Sequence, residues 1–408
     1  MLFLKRLRKG WGSSFYTLLF LLHILSNLYT FFMNEIPPTN VVVPQSPFKV
    51  MILHNIPVLP LDHPDADSEH EVIETVEIIE NALAEQGVRF ERFGLARDLA
   101  PLIQRLNSDP PDIVFNMFEG FADFTETEVH LAGLLEWMKI PFTGSKSQAL
   151  AVGRNKALAK AVLQSYGVCT PGFFWVNDEN VPENNLGWPV IVKPATQDAS
   201  IGVDQGSVVT CQNDLVERVK LLLKNYGPPV LVEQFIDGRE LTAAVIEDPE
   251  ITVLAPSEIH FTIRNKGLWP IISYDAKWKP ESLEFEGTPY EYPAKLTPEL
   301  MVRVKDTVKR AYLALGIRDY GRIDMRVSSD DTIYVIEVNP NPDLHIVTGL
   351  AISLDLVSLL FIEIRSWVFH RSIDKAIFSF STFIAFATMN AICWINAGKS
   401  VFQWRFPT

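Results

Sequence analysis

Cysteine is scarce in this chain of 408 residues: Cys169, Cys211 and Cys393 are the only three, too scattered for a disulfide framework or a zinc site. They read as buried free thiols of a reducing compartment. Several catalytic signatures are missing as well. There is no G-x-x-x-x-G-K-[ST], and no G-x-G-x-x-G follows a strand, so phosphate-loop and dinucleotide-binding readings fall away. G-x-S-x-G and H-E-x-x-H are also absent. The eight histidines are dispersed. His54, His63 and His70 gather loosely near one predicted loop and read as exposed loop residues rather than metal ligands. No internal repeat is visible. Positive charge is in short supply: 36 Lys+Arg against 49 Asp+Glu leave a formal charge of −13. That excludes a nucleic-acid partner, which needs a basic face.

What is present is unevenly spread. Residues 1–34 hold Lys5, Arg6, Arg8 and Lys9 and no acid, and residues 366–408 hold four basic side chains against Asp374 alone. The ends thus contribute +4 and +3, and the body 35–365 carries −20. Each end also contains an uncharged apolar run, Phe15–Met33 and Ala376–Ala397. The first is long enough to span a bilayer, and no small-residue cleavage site follows it. It reads as a signal anchor, or else the start site is assigned too early and Met33 or Met51 is the true one. Pro37–Pro47 is a linker. With 48% hydrophobic and 21% charged residues over the whole chain, disorder is not expected, and the body is long enough for two or three domains.

Folded structure is expected from Lys49. KVMILHN, VRFERF and Asp112–Met117 read as strands. A helix begins at a Ser68/Glu71 capping box and keeps apolar spacing through Val72, Ile73, Val76, Ile79 and Leu83 to Gly87. A second helix over Glu126–Lys139 and a strand at IPFTG complete a parallel βαβ unit to about residue 145. Next come one helix over Gln148–Tyr166, strands at Phe173–Val176 and Pro189–Lys193, and a helix over Asn213–Asn225. A strand-rich unit follows: VLVEQFI, RELTAAVIE, ITVLAPSEI and IISYDAKW. A helix runs from Thr297, with Pro298 in its first turn, to Gly316. YGRIDMRV and IYVIEVNP then form a pair joined by a polar turn.

Three features carry chemistry. Lys193 ends the apolar strand of WPVIVKP, where a buried lysine needs an anion beside it, although a lone strand-end lysine more often reaches to solvent. Alternation places Arg322, Asp324 and Arg326 on one face of their strand. It places Val335, Glu337 and Asn339 on one face of the next, with Ile336 and Val338 opposite. If the strands pair antiparallel, two carboxylates and an amide converge with an arginine. Oxygen-only ligands of this kind suit Mg²⁺ shared with phosphates. Taken singly, either strand is an amphipathic element with one wet face. The third feature is Glu233-Gln234-Phe235-Ile236 followed by Glu240. Here an apolar backbone stretch between two acids can pair an adenine edge, and a nearby carboxylate can bond ribose hydroxyls, although a strand-end glutamate is more often simply solvated.

The order of GRNKALAK, WPVIVKPATQDASIGV, VLVEQFIDGREL, YDAKW, YGRIDMRV and YVIEVNPNPDL resembles the ATP-grasp superfamily, and within it the D-alanine–D-alanine ligases, over about residues 48–350. The resemblance implies an α/β fold, α+β in its C-terminal half, with ATP held between two α+β subdomains behind an N-terminal parallel-sheet domain. The corresponding boundaries are 1–47 leader and linker, 48–145 N-terminal domain, 146–229 central subdomain, 230–365 C-terminal subdomain and 366–408 apolar tail. It implies a carboxylate–amine ligase that works through an acyl phosphate on amino-acid-like substrates. The alternatives are an ATP-grasp ligase with another donor or acceptor, and a non-catalytic, membrane-tethered nucleotide binder.

The resemblance also implies site roles. Lys156 and Lys193 hold the α- and β-phosphates. Glu233 meets the adenine amino group, Gln234, Phe235 and Ile236 form the ring-binding backbone, and Glu240 binds ribose. Lys277 meets the γ-phosphate. Asp324, Glu337 and Asn339 hold two Mg²⁺ ions, for which Mn²⁺ is an alternative, and Arg322 stabilises the transferred charge. Ser200 lies in a loop, Ala195–Ile201, that closes over the site. On the substrate side Glu69 matches an amino-group ligand. Ala199, Trp278, Asp343 and Thr348 replace the family's serine, tyrosine, glycine and serine. Relatives are commonly dimers, so a homodimer is an expectation. Charge rules alone put the body outside a membrane. Use of ATP puts it in the cytoplasm, with any membrane contact made through the ends.

Overall fold

The computed structural model describes residues 48–342 except 61, 64, 65, 86, 122, 123, 248 and 249. Both apolar runs, Cys393, Asp343 and Thr348 lie outside the described residues. Among those described, no helix is long and apolar enough to cross a membrane.

Three sheets organise the body. The first joins β1 (Lys49–Asn55), β2 (Arg89–Leu95) and β3 (Ile113–Met117) in the parallel order β2-β1-β3. Central β1 is apolar on both faces because both are covered. Val50 and Ile52 pack on Val72, Val76, Ile79 and Leu83 of α1 (Ala66–Glu85). Met51 and Leu53 pack on Leu102 of α2 (Ala100–Ser108) and Leu131 and Leu135 of α3 (Thr127–Trp137). A parallel bridge from Val114 to Phe142 adds the IPFTG segment. Helix α1 starts at Ala66, so Ser68 lies inside its first turn rather than at the cap. His54 departs from the loop reading too. It is buried, Arg92 Nε lies 3.1 Å from its Nε2, and burial lowers its pKa.

The single helix expected over 148–166 is two, α4 (Ser147–Arg154) and α5 (Lys156–Ser165). Asn155 breaks the run with extended backbone (φ −99°, ψ 94°), and its Oδ1 accepts from Leu158 N at 3.0 Å. One asparagine therefore ends one helix and caps the next. The central sheet is antiparallel, β4 (Phe173–Val176), β7 (Val230–Gln234), β5 (Val190–Pro194) and β6 (Val208–Val209) in that spatial order. Leu215, Val219 and Leu222 of α6 (Gln212–Tyr226) cover one face. Strand β7 belongs to this sheet, and residues 235–238 cross from it to the next.

The third sheet runs β11 (Tyr290–Glu291), β10 (Ser257–Ile259), β8 (Arg239–Glu247), β12 (Tyr320–Val327) and β13 (Ile333–Asn339), with β9 (Ile251–Val253) added to β8. All its pairings are antiparallel. ITVLAPSEI is thus two strands, not one. IISYDAKW is not a strand either: Ser273 Oγ accepts from Ala276 N at 3.0 Å and caps the short helix α7 (Tyr274–Trp278). A further turn, α8 (Leu283–Glu286), precedes α9 (Pro298–Leu315). Thr297 caps α9 and Gly316 ends it in the left-handed region at φ 68°. The core lies between α9 and this sheet, where Val304, Val308 and Tyr312 meet Leu241, Ala243, Ile323 and Val338. Cys169 and Cys211 are free but exposed, which corrects the expectation of buried thiols.

Candidate active site

The third sheet builds the acidic half of the site. Strands β12 and β13 pair antiparallel, with Asp324 opposite Glu337 and Arg322 opposite Asn339. Between the Asp324–Glu337 and Met325–Val335 pairs the register slips by one, leaving Ile336 as the extra residue of a bulge. Plain alternation put Val335 on the face of Glu337. The bulge turns it over: Val335 is fully buried beside Val338, and Ile336 is half-buried. Arg322 donates to Asp324 at 3.1–3.2 Å, Asn339 Nδ2 donates to Asp324 Oδ2 at 3.1 Å, and Thr242 Oγ1 on β8 donates to Asp324 Oδ1 at 2.9 Å.

Helix α5 and the central sheet bring the cations. Because Asn155 restarts the helix, Lys156 sits in its first turn, with Nζ 2.8 Å from Glu337 Oε1, 2.9 Å from Asp198 Oδ1 and 2.6 Å from the Gln197 carbonyl. Burial alone would raise the Glu337 carboxyl. The Lys156, Lys193 and Arg322 charges outweigh it and bring the pKa down to about 2. Burial opposes the charge of Lys156 as well, and Asp198 and Glu337 hold its pKa above the ordinary lysine value. From β5, Lys193 Nζ stands 3.1 Å from Glu233 Oε2 on β7. Gly153 packs so closely on Pro340 that a Cβ there would lie 2.7 Å from the proline ring. This seats the α4–α5 junction on the end of β13.

The loop after β5 is tied across the site at three points. Lys156 holds Gln197 and Asp198, Ser200 Oγ donates to the Ile272 carbonyl at 3.0 Å, and Trp278 Nε1 donates to the Ala199 carbonyl at 2.9 Å. Ala199 and Ser200 both take left-handed backbone, φ 54° and 62°. Lys277 is half-buried. Its ammonium stands 4.7 Å from the Trp278 ring centroid, and no described carboxylate lies within ion-pair distance of it. On the opposite flank, Arg326 Nε donates to Glu240 Oε2 at 2.8 Å and Nη1 donates to the Ile236 carbonyl at 3.1 Å. Its guanidinium also lies over the Phe235 and Phe261 rings. A cavity of about 440 Å³ adjoins this crossing, lined by Pro189, Phe235, Asp237, Arg264 and Trp269 among others, but it contains none of the lysines or metal candidates.

These groups lie in one constellation: Lys156, Lys193 and Glu233 on one side, Arg322, Asp324, Glu337 and Asn339 on the other. The model described as the D-ala D-ala ligase C-terminus matches residues 162–351. A D-alanine–D-alanine ligase of Rhodospirillum rubrum is 32% identical over 266 residues, which is 64% of this chain and 80% of that protein. The chain belongs to the D-alanine–D-alanine ligase family. As a member it is an ATP-dependent ligase of the carbon–nitrogen bond-forming class. An uncharacterised protein of Sinorhizobium fredii is 30% identical over 243 residues, 58% of this chain and 69% of its own. The crystal structure of a Bacillus anthracis D-alanine–D-alanine ligase complexed with ATP shares the fold, with a TM-score of 0.58 at 21% identity over 76% of this chain and 92% of that one.

Within this family member several site residues had no role in the sequence reading. Lys160 is 1% exposed and bonds Glu233. Its signal was the four-residue spacing from Lys156, which puts both on one helix face. Arg326 was placed on the site face by alternation but given no partner. Arg154 joins Glu128 at 2.7 Å and lies 3.5 Å from Asp198. Burial pushes the Glu128 carboxyl up to about 7 against the Arg154 charge. Of the substrate-side residues, Glu69 Oε2 accepts from the Val58 and Leu59 N–H groups at 2.9 and 2.7 Å. Glu258, His260 and Glu291 also approach one another, but Arg239 and Lys295 already neutralise the two carboxylates.

Proposed function

We propose that this ligase joins two amino-acid-like substrates, activating the carboxylate of one as an acyl phosphate for attack by the amine of the other. D-Alanine, named for its relatives, is the first candidate for both. The observation that carries the reading is the pairing of β12 with β13, which sets Asp324, Glu337 and Asn339 against Lys156 and Arg322. Their donors are all oxygen, from two carboxylates and an amide on adjacent register positions, which fits a hard divalent cation. We assign them two Mg²⁺ ions, with Mn²⁺ as a substitute. When bound, ATP would supply the γ-phosphoryl group and leave as ADP, and the metal ions would neutralise its phosphates, so that phosphate replaces oxide as the leaving group of the carboxylate.

The chain's own residues do the rest by position and charge. Lys156 and Lys193 neutralise the α- and β-phosphates. Lys277, without a carboxylate of its own, is free to meet the γ-phosphate. Arg322 is aligned by Asp324 toward the charge that develops during transfer and on the tetrahedral species that follows. Glu233 accepts from the adenine amino group. Gln234, Phe235 and Ile236 line the ring with backbone, and Glu240 binds ribose while Arg326 holds it in place. The loop pinned through Ser200 and Trp278 excludes water from the acyl phosphate. We assign Glu69 and Trp278 to the donor side and, on the family resemblance alone, Asp343 and Thr348 to the acceptor side.

An altered substrate pair within the same chemistry is the second reading. Trp278 spends its indole N–H on the backbone of Ala199, at the position where D-alanine ligases use a tyrosine and a serine. ADP release from the full chain with Mg²⁺, ATP and pairs of D- and L-amino acids, with mass spectrometry of the product, tests both. We expect a dipeptide and one ADP per bond, lost in Lys193→Ala. Turnover unchanged in that variant refutes the phosphate site. ATP binding with no ADP release for any pair refutes amino acids as the substrates. We place the catalytic body in the cytoplasm, where ATP is supplied, and leave membrane contact to the ends.

A further inference from the structure

Lys160 has no task in the mechanism above, yet it is among the most deeply buried side chains of the protein, 1% exposed. Its ammonium donates to Glu233 Oε1 at 2.6 Å and to Thr170 Oγ1 at 2.8 Å. Glu233 is equally buried. Its second oxygen, Oε2, has no hydrogen-bond partner and faces Lys193 Nζ as an ion pair at 3.1 Å. A buried ion pair adds little net stability over an apolar pair of the same volume. What it does provide is a carboxylate that stays ionised, and an ionised carboxylate only accepts hydrogen bonds. A neutral carboxyl would carry an O–H and could also donate.

We propose that Lys160 is a positioning residue for nucleotide selection: by occupying Oε1 it presents Oε2 of Glu233 as a fixed acceptor, which favours a purine bearing an exocyclic amino group over one bearing a carbonyl. The inference rests on the reading of Glu233 as the adenine contact. An amino group donates to Oε2. A ring carbonyl places a second acceptor against it, and both are then left unpaired in a dry site. Without Lys160, the buried Glu233 carboxyl takes a proton or turns to Lys193, and either change relaxes the choice.

The test is equilibrium titration of the full chain with ATP and with ITP in Mg²⁺, which needs no amino-acid substrate. The wild type is expected to bind ATP about tenfold or more tightly than ITP. Lys160→Met is expected to cut that ratio about fivefold or more by removing the counter-charge. The ratio is taken within one protein, so a smaller folded fraction does not change it. Glu233→Gln, whose amide both donates and accepts, is expected to lose most of the preference. Adding Lys160→Met to Glu233→Gln should then leave the ratio within about twofold of Glu233→Gln alone, because coupled residues are not additive. That comparison decides the matter if Lys160→Met alone does not fold. A single Lys160→Met variant with the wild-type ratio, or a double variant that differs from Glu233→Gln by more than about threefold, overturns the role of Lys160. A wild type with no preference for ATP over ITP overturns the adenine role of Glu233 as well.

Discussion

Arg326→Met tests how the crossing between the two sheets is held. Arg326 is 5% exposed and donates to Glu240 Oε2 and to the carbonyls of Ile236 and Pro270. Methionine retains much of the apolar stem, so packing on Phe235 and Phe261 changes less than charge does. The main loss is the counter-ion of Glu240. Stranding a buried carboxylate costs about 3–5 kcal/mol. Two carbonyls that lose a donor add about 1 kcal/mol each. One effect limits the sum. Burial already raises the Glu240 carboxyl against the opposing Arg326 charge, so without Arg326 it takes a proton at modest cost. The net expectation is about 3–5 kcal/mol, a large share of the stability of a typical domain. Urea unfolding followed by tryptophan fluorescence measures it, since Trp269 meets Phe235 edge-to-face at this crossing. Adding Glu240→Gln to Arg326→Met should restore about 2 kcal/mol by removing the stranded charge. A single variant within about 1 kcal/mol of wild type, or a double variant no more stable than the single, refutes the coupling.

Glu128→Gln should flatten part of the pH dependence of stability. The folded carboxyl titrates near 7 against an ordinary 4.5, so the folded state binds the extra proton and its stability is lost as pH rises through that window. The wild type should lose up to ~3 kcal/mol between those values and the variant much less; equal slopes in thermal melts would count against it. Asn155→Ala removes the cap of the helix that carries Lys156. It should cost ~1 kcal/mol in unfolding and weaken ATP binding, whereas unchanged ATP affinity would mean that Lys156 does not depend on the break. Asp198→Asn frees Lys156 of a partly exposed partner whose side chain is 42% exposed. Such a pair is worth at most ~1 kcal/mol, so ATP should bind up to about fivefold more tightly, and weaker binding would show that Asp198 assists the nucleotide instead.

Much of this architecture was legible in the chain because the signals are local. The apolar runs of β1 and β3, the Thr297-Pro298 start and Gly316 end of α9, and the alternation of β12 depend on neighbours a few residues apart. The errors were local signals overruled. Gln148–Tyr166 has one continuous helical pattern, but Gly153 must approach Pro340 and Asn155 can cap, so the run breaks where the site needs a helix N-terminus. IISYDAKW has the apolar content of a strand, yet Ser273 offers a cap and the segment coils. Alternation alone puts Val335 on the face of Glu337, and a single extra residue in β13 reverses it. The charged site was legible as residue types in a recognisable order, but not as pairs.

That division has a physical cause. The sequence alone determines where strands and helices of strong period lie, that the body is acidic, and which motifs place oxygen ligands and cations on facing positions. Which carboxylate answers which cation was decided only by the tertiary structure. Lys160 and Glu233 are 73 residues apart, and Arg326 and Glu240 are 86 apart. An ion pair depends on a distance of a few ångströms and on burial, and neither quantity exists until helix α5, the central sheet and β12 have packed against one another.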